Sequence, residues 1–527
     1  DYANIELYTR LAAEGSQRVG PQSRFHIHHP GPAFFYAAAP VYALFGGTTK
    51  GMAAAALAWN VVWLVLMVRS VARLAPRTGP LVAALLLAVF IAGRNLGWFL
   101  SSWNPHVAML PFATALFASA RLASGEGRAL PLLVLAASAV VQCHLVWALP
   151  VALMGAAGLL LCVLPSLRRG LRVPSAGGGL SRASLGGAVL VASVMWVLPV
   201  ADEITGTYGN LHRILELGTH GSPTRTWGEA MIPAARGLRL ESGSLVRAAS
   251  LVLEWGDPDP APPDAEAPLP SSMAAGDVLW SLLVVGGLVS AVGLASRRGS
   301  RTTALGPIAA LGLVSGPLVA LLSPGRELPP YMFQWEAMVA LAVLLMVGVE
   351  VLARTPRSSA LAAGPAAKAL VLLVPAVLIV LSIRQQAAAG PAPRNGRSVE
   401  VERLTREVAA RVAADAPGRR FLVRIAPHED QAMVGGLILA LDKAGVRFGV
   451  VPSGSWRIEG RFTPRGDERA ELLIGSLPAL PGAERLGSPD GPTVVWQTPW
   501  RAGHAALAGR GERRGLEPSD PPVRPAP

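Results

Sequence analysis

The stretch Ala129–Pro165, ALPLLVLAASAVVQCHLVWALPVALMGAAGLLLCVLP, decides the fold class. It runs 37 residues without a charge. As one helix it would reach roughly 55 Å at 1.5 Å per residue. That is too long for a hydrocarbon core of about 30 Å. Arg121 and Arg128 precede it, and Arg168, Arg169 and Arg172 follow it. Basic residues at both ends require two crossings, joined by a tight hairpin near Gln142 and His144.

Apolar runs of this kind recur along the chain. Spans are expected near 52–75, 80–99, 104–122, 129–146, 147–165, 184–201, 277–296, 303–322, 333–353 and 367–384, ten in all. Composition agrees: 51% of the 527 residues are hydrophobic and only 15% are charged. Soluble domains carry about 25% charge, so an ordinary soluble enzyme and a disordered chain are both excluded. The net charge of +13 is not a nucleic-acid signal. Fifteen basic residues sit in the connections after spans 1, 3, 5, 7 and 9, and two, Arg94 and Arg326, in the short opposite ones. This bias orients the chain, with the arginine-rich connections in the cytoplasm. Arginine supplies 44 of the 47 basic residues, and with abundant Ala, Gly and Pro this points to a GC-rich bacterial source. The two cysteines, Cys143 and Cys162, lie in apolar runs and cannot build a disulfide framework.

Five regions follow. Residues 1–51 are a first outer loop, with an amphipathic helix over Asp1–Ala13 and an interfacial helix over Phe34–Phe45 that is too short to span. Residues 52–386 form the transmembrane domain, with a large outer loop at 202–276. Within that loop a helix is expected over Asp202–Leu217, and irregular chain over the Pro-rich Asp257–Pro270. Residues 387–398 are a linker. Residues 399–502 read as a small extracytoplasmic α/β domain. Its elements are helices over Val399–Ala414 and Asp430–Ala444, and strands at Phe421–Ala426, Arg447–Val451, Glu471–Ile474 and Thr493–Gln497. Residues 503–527 read as a disordered tail. The first residue is Asp1, already on the outer side, so a further helix is expected upstream and eleven spans in all.

Polar residues collect on the outer side. They are Asp1 and Glu6, then Arg24, His26, His28 and His29, then Trp103-Asn104-Pro105-His106, Gln142 and His144, then Asn210, His212 and Arg213, and finally Arg326, Glu327, Tyr331 and Gln334. The inner connections hold no comparable mixture, so chemistry is expected at the outer boundary. Each residue also has a plainer reading. Glu6 fits the solvated face of a surface helix. Gln142 and His144 can satisfy each other at a hairpin tip, although polar groups inside a membrane are costly and often functional. Arg94, Arg213 and Arg326 can be snorkelling anchors or phosphate ligands. The histidine run 26–29 lacks a second cluster at metal-site spacing, so no metal ligand is assigned. The tryptophans at 98, 103, 147, 280 and 335 fall at span ends and read as an aromatic belt. His428-Glu429-Asp430 reads as a helix start with Asp430 as its cap. No active site is expected in the tail domain.

The order of these features resembles the GT-C superfamily of integral-membrane glycosyltransferases. The likeness is to bacterial protein-mannosyltransferase and aminoarabinose-transferase types, of the family 39 kind. It is carried by SRFHIHHPGPAFFYAAAPVYALFG at 23–46, SSWNPHVAMLPF at 101–112, VVQCHLVWALPVAL at 140–153 and PVADEITGTYGNLHRIL at 199–215, and covers roughly residues 1–385. The resemblance implies transfer of a sugar from a polyprenyl-phosphate donor to an extracytoplasmic glycan, lipid or protein acceptor. It implies a general base in the first outer loop, by position Asp1. Family members often carry a paired acidic motif there, whereas this chain has Asp1-Tyr2, so a divalent metal is not supported and no cofactor is assigned. The candidate substrate-binding residues are Glu6, His28, His29, Asn104, His106, Gln142, His144, His212, Arg213, Arg326 and Tyr331. Arg213 or Arg326, helped by His29, would stabilise the leaving phosphate. The rival classes are a transporter or flippase of lipid-linked glycans, expected to show charged groups deep in several spans, and a non-catalytic membrane scaffold.

Overall fold

The computed structural model describes residues 2–23, 25, 27–94, 96–205, 209–219, 224–238, 273–324, 328–354, 364–388, 396–415, 420–425, 431–451, 458, 460–465, 468, 470–474, 484–486 and 495–499. The chain divides into a helical unit and a compact unit that begins at Pro393.

The helical unit contains α1 (Tyr2–Ala13), α2 (Ala33–Leu44), α3 (Thr49–Leu74), α4 (Gly79–Arg94), α5 (Asn104–Ala123), α6 (Leu130–Cys143), α7 (Ala148–Val163) and α8 (Pro165–Gly170). It continues with α9 (Arg182–Thr205), α10 (Asn210–Thr219), α11 (Trp227–Gly237), α12 (Ala275–Arg297), α13 (Leu305–Leu322), α14 (Glu336–Leu352) and α15 (Pro365–Ala388). Among the described residues, seven helical stretches are long and apolar enough to cross a bilayer. They are Thr49–Leu74, Asn104–Ala123, Leu145–Val163, Arg182–Thr205, Ala275–Arg297, Arg301–Leu322 and Pro330–Leu352. The other three expected spans are helical as well, at α4, α6 and α15, but their described apolar parts are shorter. This is a polytopic helical membrane protein.

Burial separates centre from periphery. In α5, 89% of the apolar stretch is buried, against 17% in α9 and 22% in α12. The α5 helix packs on α3, α6 and α7. Close approach to α7 requires glycine at 158, where a Cβ would meet the Ser119 carbonyl at 2.5 Å. By contrast Val189, Leu190, Val194 and Val197 of α9 stay exposed, as a lipid-facing surface would be.

The long apolar stretch does break at His144, whose backbone is extended (φ −151°, ψ 95°). A 3₁₀ turn, Leu145–Trp147, then leads into α7. One helix in the long loop has no counterpart in the sequence reading. The α11 helix begins with a capping box, in which the Glu229 amide donates to Thr226 Oγ1 (3.3 Å) and the Thr226 amide to Glu229 Oε2 (2.7 Å). It packs against α13.

Two expectations need correction. The first helix, expected over Asp1–Ala13 and described over Tyr2–Ala13, is not a surface helix with one wet face: along α1, Asn4, Glu6, Tyr8 and Thr9 are buried together with Ile5, Leu7 and Leu11. Nor do Trp147 and Trp335 belong to an aromatic belt. Both are fully buried, and both donate Nε1–H to the Met332 carbonyl (3.0 and 3.1 Å).

The second unit contains α16 (Gly396–Asp415), β1 (Phe421–Ile425), α17 (Gln431–Lys443), β2 (Phe448–Val450), β3 (Ala470–Ile474), β4 (Glu484–Leu486) and β5 (Val495–Pro499). The sheet order is β2-β1-β3-β5-β4. The β1 strand is parallel to β2 and β3, with Val423 opposite Val450 and Leu472, while β5 is antiparallel to β3 and β4. Phe421, Val423, Leu404, Val408 and Ile438 fill its core. Arg420 pairs with the buried Glu468 at 3.0 Å. The β4 strand was not foreseen. Residues 426–430 and 500–527 lie outside the described residues, and with them His428-Glu429-Asp430 and the expected tail.

Candidate functional site

The break between α6 and α7 organises one end of the bundle, the end whose short connections are poor in arginine. Gln142 and His144 do not satisfy each other there. Gln142 Oε1 accepts the Ala33 amide at the start of α2 (3.1 Å), and its Nε2 donates to the Met195 carbonyl of α9 (2.6 Å). It therefore clamps α2, α6 and α9 together. At Gly20 and His29 the first connection crosses this clamp backbone to backbone. A Cβ at Gly20 would lie 2.7–2.8 Å from the carbonyl oxygens of Gln142, Gly31 and His29, so only glycine fits.

His29 closes the crossing. Its Nδ1 accepts the Leu145 amide (2.9 Å), so the ring is the neutral Nε2–H tautomer. It stacks on His144, with centroids 5.3 Å apart and planes at 29°. Burial first, then the neighbouring His144 and His28, holds His29 well below the usual imidazole range. Burial likewise pulls His144 down to about 3. Both rings are uncharged at neutral pH. His29 therefore carries its proton on Nε2, as a neutral hydrogen-bond donor.

A chain of rings extends from His144. Tyr331 lies edge-on to it at 5.9 Å, Trp103 contacts Tyr331 at 5.4 Å, and His106 contacts Trp103 at 4.9 Å. Trp103, Asn104, His106 and Tyr331 are half-buried, so this array reaches the surface. Ser101 anchors its far end. His106 Nδ1 is 2.8 Å from Ser101 Oγ, and Tyr2 Oη is 2.9 Å from the same oxygen. Neither Tyr2 nor Ser101 was singled out from sequence, because an isolated tyrosine and a serine carry no motif.

Four candidate residues lie in other settings. Glu6 points inward, with one carboxylate oxygen accepting from Tyr42 Oη (2.8 Å) and the other from Thr49 Oγ1 (3.2 Å). Arg10 donates to the same tyrosine oxygen (3.3 Å). Burial is the main reason the Tyr42 hydroxyl is pushed up to about 12. Glu6 thus locks α1 to α2 and α3 and is not on a solvated face. His28 is held through its backbone, whose amide donates to Asn210 Oδ1 and whose carbonyl accepts from Asn210 Nδ2 (3.1 Å each). Its Nδ1 meets the Gly20 carbonyl (2.9 Å). His212 is exposed on α10 and pairs with Glu216 (3.1 Å), and Arg213 beside it is half-buried. The expected continuous helix over Asp202–Leu217 is two helices, α9 and α10. The second is capped by Glu203, whose carboxylate accepts the amides of Leu211 (2.9 Å) and His212 (3.3 Å). Asp1, Arg24, His26, Arg326 and Glu327 lie outside the described residues.

Beside the clamp is an apolar groove of about 610 Å³. Tyr36, Ala37 and Val41 of α2 cover it, Trp59 and Trp63 of α3 form one wall, and Leu135 of α6 with Val194 and Leu198 of α9 form the other. Gln142 lines it too, and both ends of its amide are already engaged by backbone. The groove therefore offers contact to a hydrocarbon chain, and its lining includes Gln142, two positions before His144. No protein-family model, curated protein or solved structure matches this chain. Among the described residues no group of three His, Cys, Asp or Glu side chains comes together as a metal cluster. What the site brings together is His29, Gln142, His144, Tyr331, Trp103 and His106, a ring-rich surface next to an apolar slot.

Proposed function

We propose that this protein is a membrane glycosyltransferase that moves a sugar from a polyprenyl-phosphate donor to an extracytoplasmic acceptor, with Asp1 as general base. The observation that carries the reading is the apolar groove under α2, which adjoins the array from His29 to His106. A donor of this class needs both surfaces, one for a hydrocarbon tail and one for a sugar. In this reading the protein lies in a bacterial cytoplasmic membrane. The arginine-poor end and the C-terminal domain face outward, and the fold is of the GT-C kind.

The chemistry is direct. An acceptor hydroxyl is a weak nucleophile, and a positioned carboxylate raises its reactivity by taking its proton. The acceptor oxygen attacks the anomeric carbon. The bond from that carbon to the phosphate oxygen breaks, and its electron pair leaves with the lipid phosphate. Asp1 receives the hydroxyl proton. Arg213 or Arg326 supplies positive charge to the departing phosphate, and the Nε2–H of His29 adds a neutral donor.

The test is a transfer assay with purified full-length protein in lipid nanodiscs and polyprenyl-phosphate sugars of several kinds. Release of free polyprenyl phosphate with glycosylation of an added acceptor supports the reading. Movement of an intact lipid-linked glycan across a sealed vesicle, with no bond broken, identifies a transporter instead.

A further inference from the structure

We infer that Tyr2, Ser101 and His106 form a positioning unit that seats the first turn of α1 against the connection between α4 and α5. The inference rests on the glycosyltransferase reading, because Tyr2 adjoins Asp1 in the chain.

Residues from Ile5 onward are held in α1 by burial: Ile5, Leu7, Tyr8 and Leu11 are at most 1% exposed. Tyr2 differs. It is 55% exposed, yet its hydroxyl is bonded to Ser101, 99 positions away. An exposed ring tied by one hydrogen bond adds little to stability, but it fixes where the turn lies.

Ser101 is the hub. Its Oγ meets Tyr2 Oη at 2.9 Å, His106 Nδ1 at 2.8 Å and the Trp103 amide at 3.3 Å. A serine hydroxyl has one proton and two acceptor sites. The Trp103 N–H occupies one acceptor site, so of Tyr2 and His106 one must donate and the other accept. Tyr2 donating to Ser101, and Ser101 to His106 Nδ1, leaves His106 as the Nε2–H tautomer. The unit therefore orients the His106 ring as well as the turn. His106 in turn packs edge-on against Trp103 (88°), inside the ring array. Tyr2 and Ser101 act through their neighbours and are positioning residues, not catalytic ones.

The experiment compares Tyr2→Phe, Ser101→Ala, Ser101→Thr and Asp1→Asn in full-length protein in nanodiscs, measuring donor kcat and KM alongside thermal stability. Misplacing a reacting group by about 1 Å costs about a hundredfold. Tyr2→Phe and Ser101→Ala should therefore lower kcat by about tenfold to a hundredfold, with donor KM within about twofold and an unchanged melting temperature. The double variant should be no slower than either single one, and Ser101→Thr, which keeps the hydroxyl, should recover most of the rate. A Tyr2→Phe enzyme with wild-type kcat, beside an inactive Asp1→Asn enzyme, overturns the inference and leaves the glycosyltransferase reading in place. Normal turnover by Asp1→Asn, or no transfer by the wild type, overturns the reading and the inference together.

Discussion

The Leu145 amide donates to Nδ1 of His29 at 2.9 Å, which joins the first connection of the helical unit to the break between two membrane helices. This bond requires an unprotonated Nδ1, and the stacked His144 has no room for charge either. Their folded-state affinity for protons is low, whereas unfolded histidine binds a proton near pH 6.5. The unfolded chain therefore takes up more protons on acidification, and stability falls. The contribution is complete above pH 6.5. It is lost as the pH drops from 6.5 toward about 3 for His144, at about 1.4 kcal/mol per pH unit. Melting temperatures of the protein in nanodiscs, measured from about pH 7.5 down to about pH 4.5, should fall below pH 6.5, and His144→Phe should reduce that slope. An equal slope in the variant would show that His144 is accessible to protons in the fold.

Removing the Tyr42 hydroxyl tests the lock between α1, α2 and α3. Tyr42→Phe deprives Glu6 and Arg10 of a shared partner and should cost about 1–3 kcal/mol. Glycosyl transfer per folded molecule should stay near wild type, because this cluster only holds the helices together. Loss of transfer at unchanged stability would place Glu6 in the site itself.

Gly20 is the tightest point of the crossing loop. Gly20→Ala should destabilise the protein by at least about 1–3 kcal/mol, since three backbone oxygens surround the new methyl group. It should also weaken donor binding by shifting His29. Gly15→Ala is not an equivalent control, because Gly15 has positive φ (74°), whereas Gly218→Ala meets open space on α10 and should be nearly silent.

Filling the groove separates tail recognition from sugar recognition. Ala37→Trp places an indole under α2, where the cavity is apolar. Donor KM should rise for long polyprenyl chains and change little for a short-chain analogue. Equal effects on both donors would mean that the tail lies elsewhere.

Much of this arrangement was legible in the sequence, for identifiable reasons. The length of the apolar stretch 129–165 required a break, and the break falls at His144. The short helix α2 was legible because Phe34–Phe45 is a continuous apolar run too short to span. What sequence hides is the partner across the fold. Glu6 looks like a surface acid because nothing near it in the chain reveals Tyr42, 36 residues away. Trp147 looks like a belt residue because the carbonyl that it reaches belongs to Met332, 185 residues away. The α11 helix has capping-box spacing at Thr226 and Glu229, but it is short and its internal Pro233 disguises the helical pattern. The charge state of His29 was not legible, because a histidine's charge depends on burial, which is a property of the folded chain.

The central claim is that this protein transfers a sugar and that Asp1 takes the acceptor proton. The most direct measurement is sugar transfer from a polyprenyl-phosphate donor by wild-type and Asp1→Asn proteins, both full-length and expressed to equal levels. Transfer by the wild type and none by Asp1→Asn, with donor binding retained in both, is the predicted result. Equal turnover by the two proteins would contradict it.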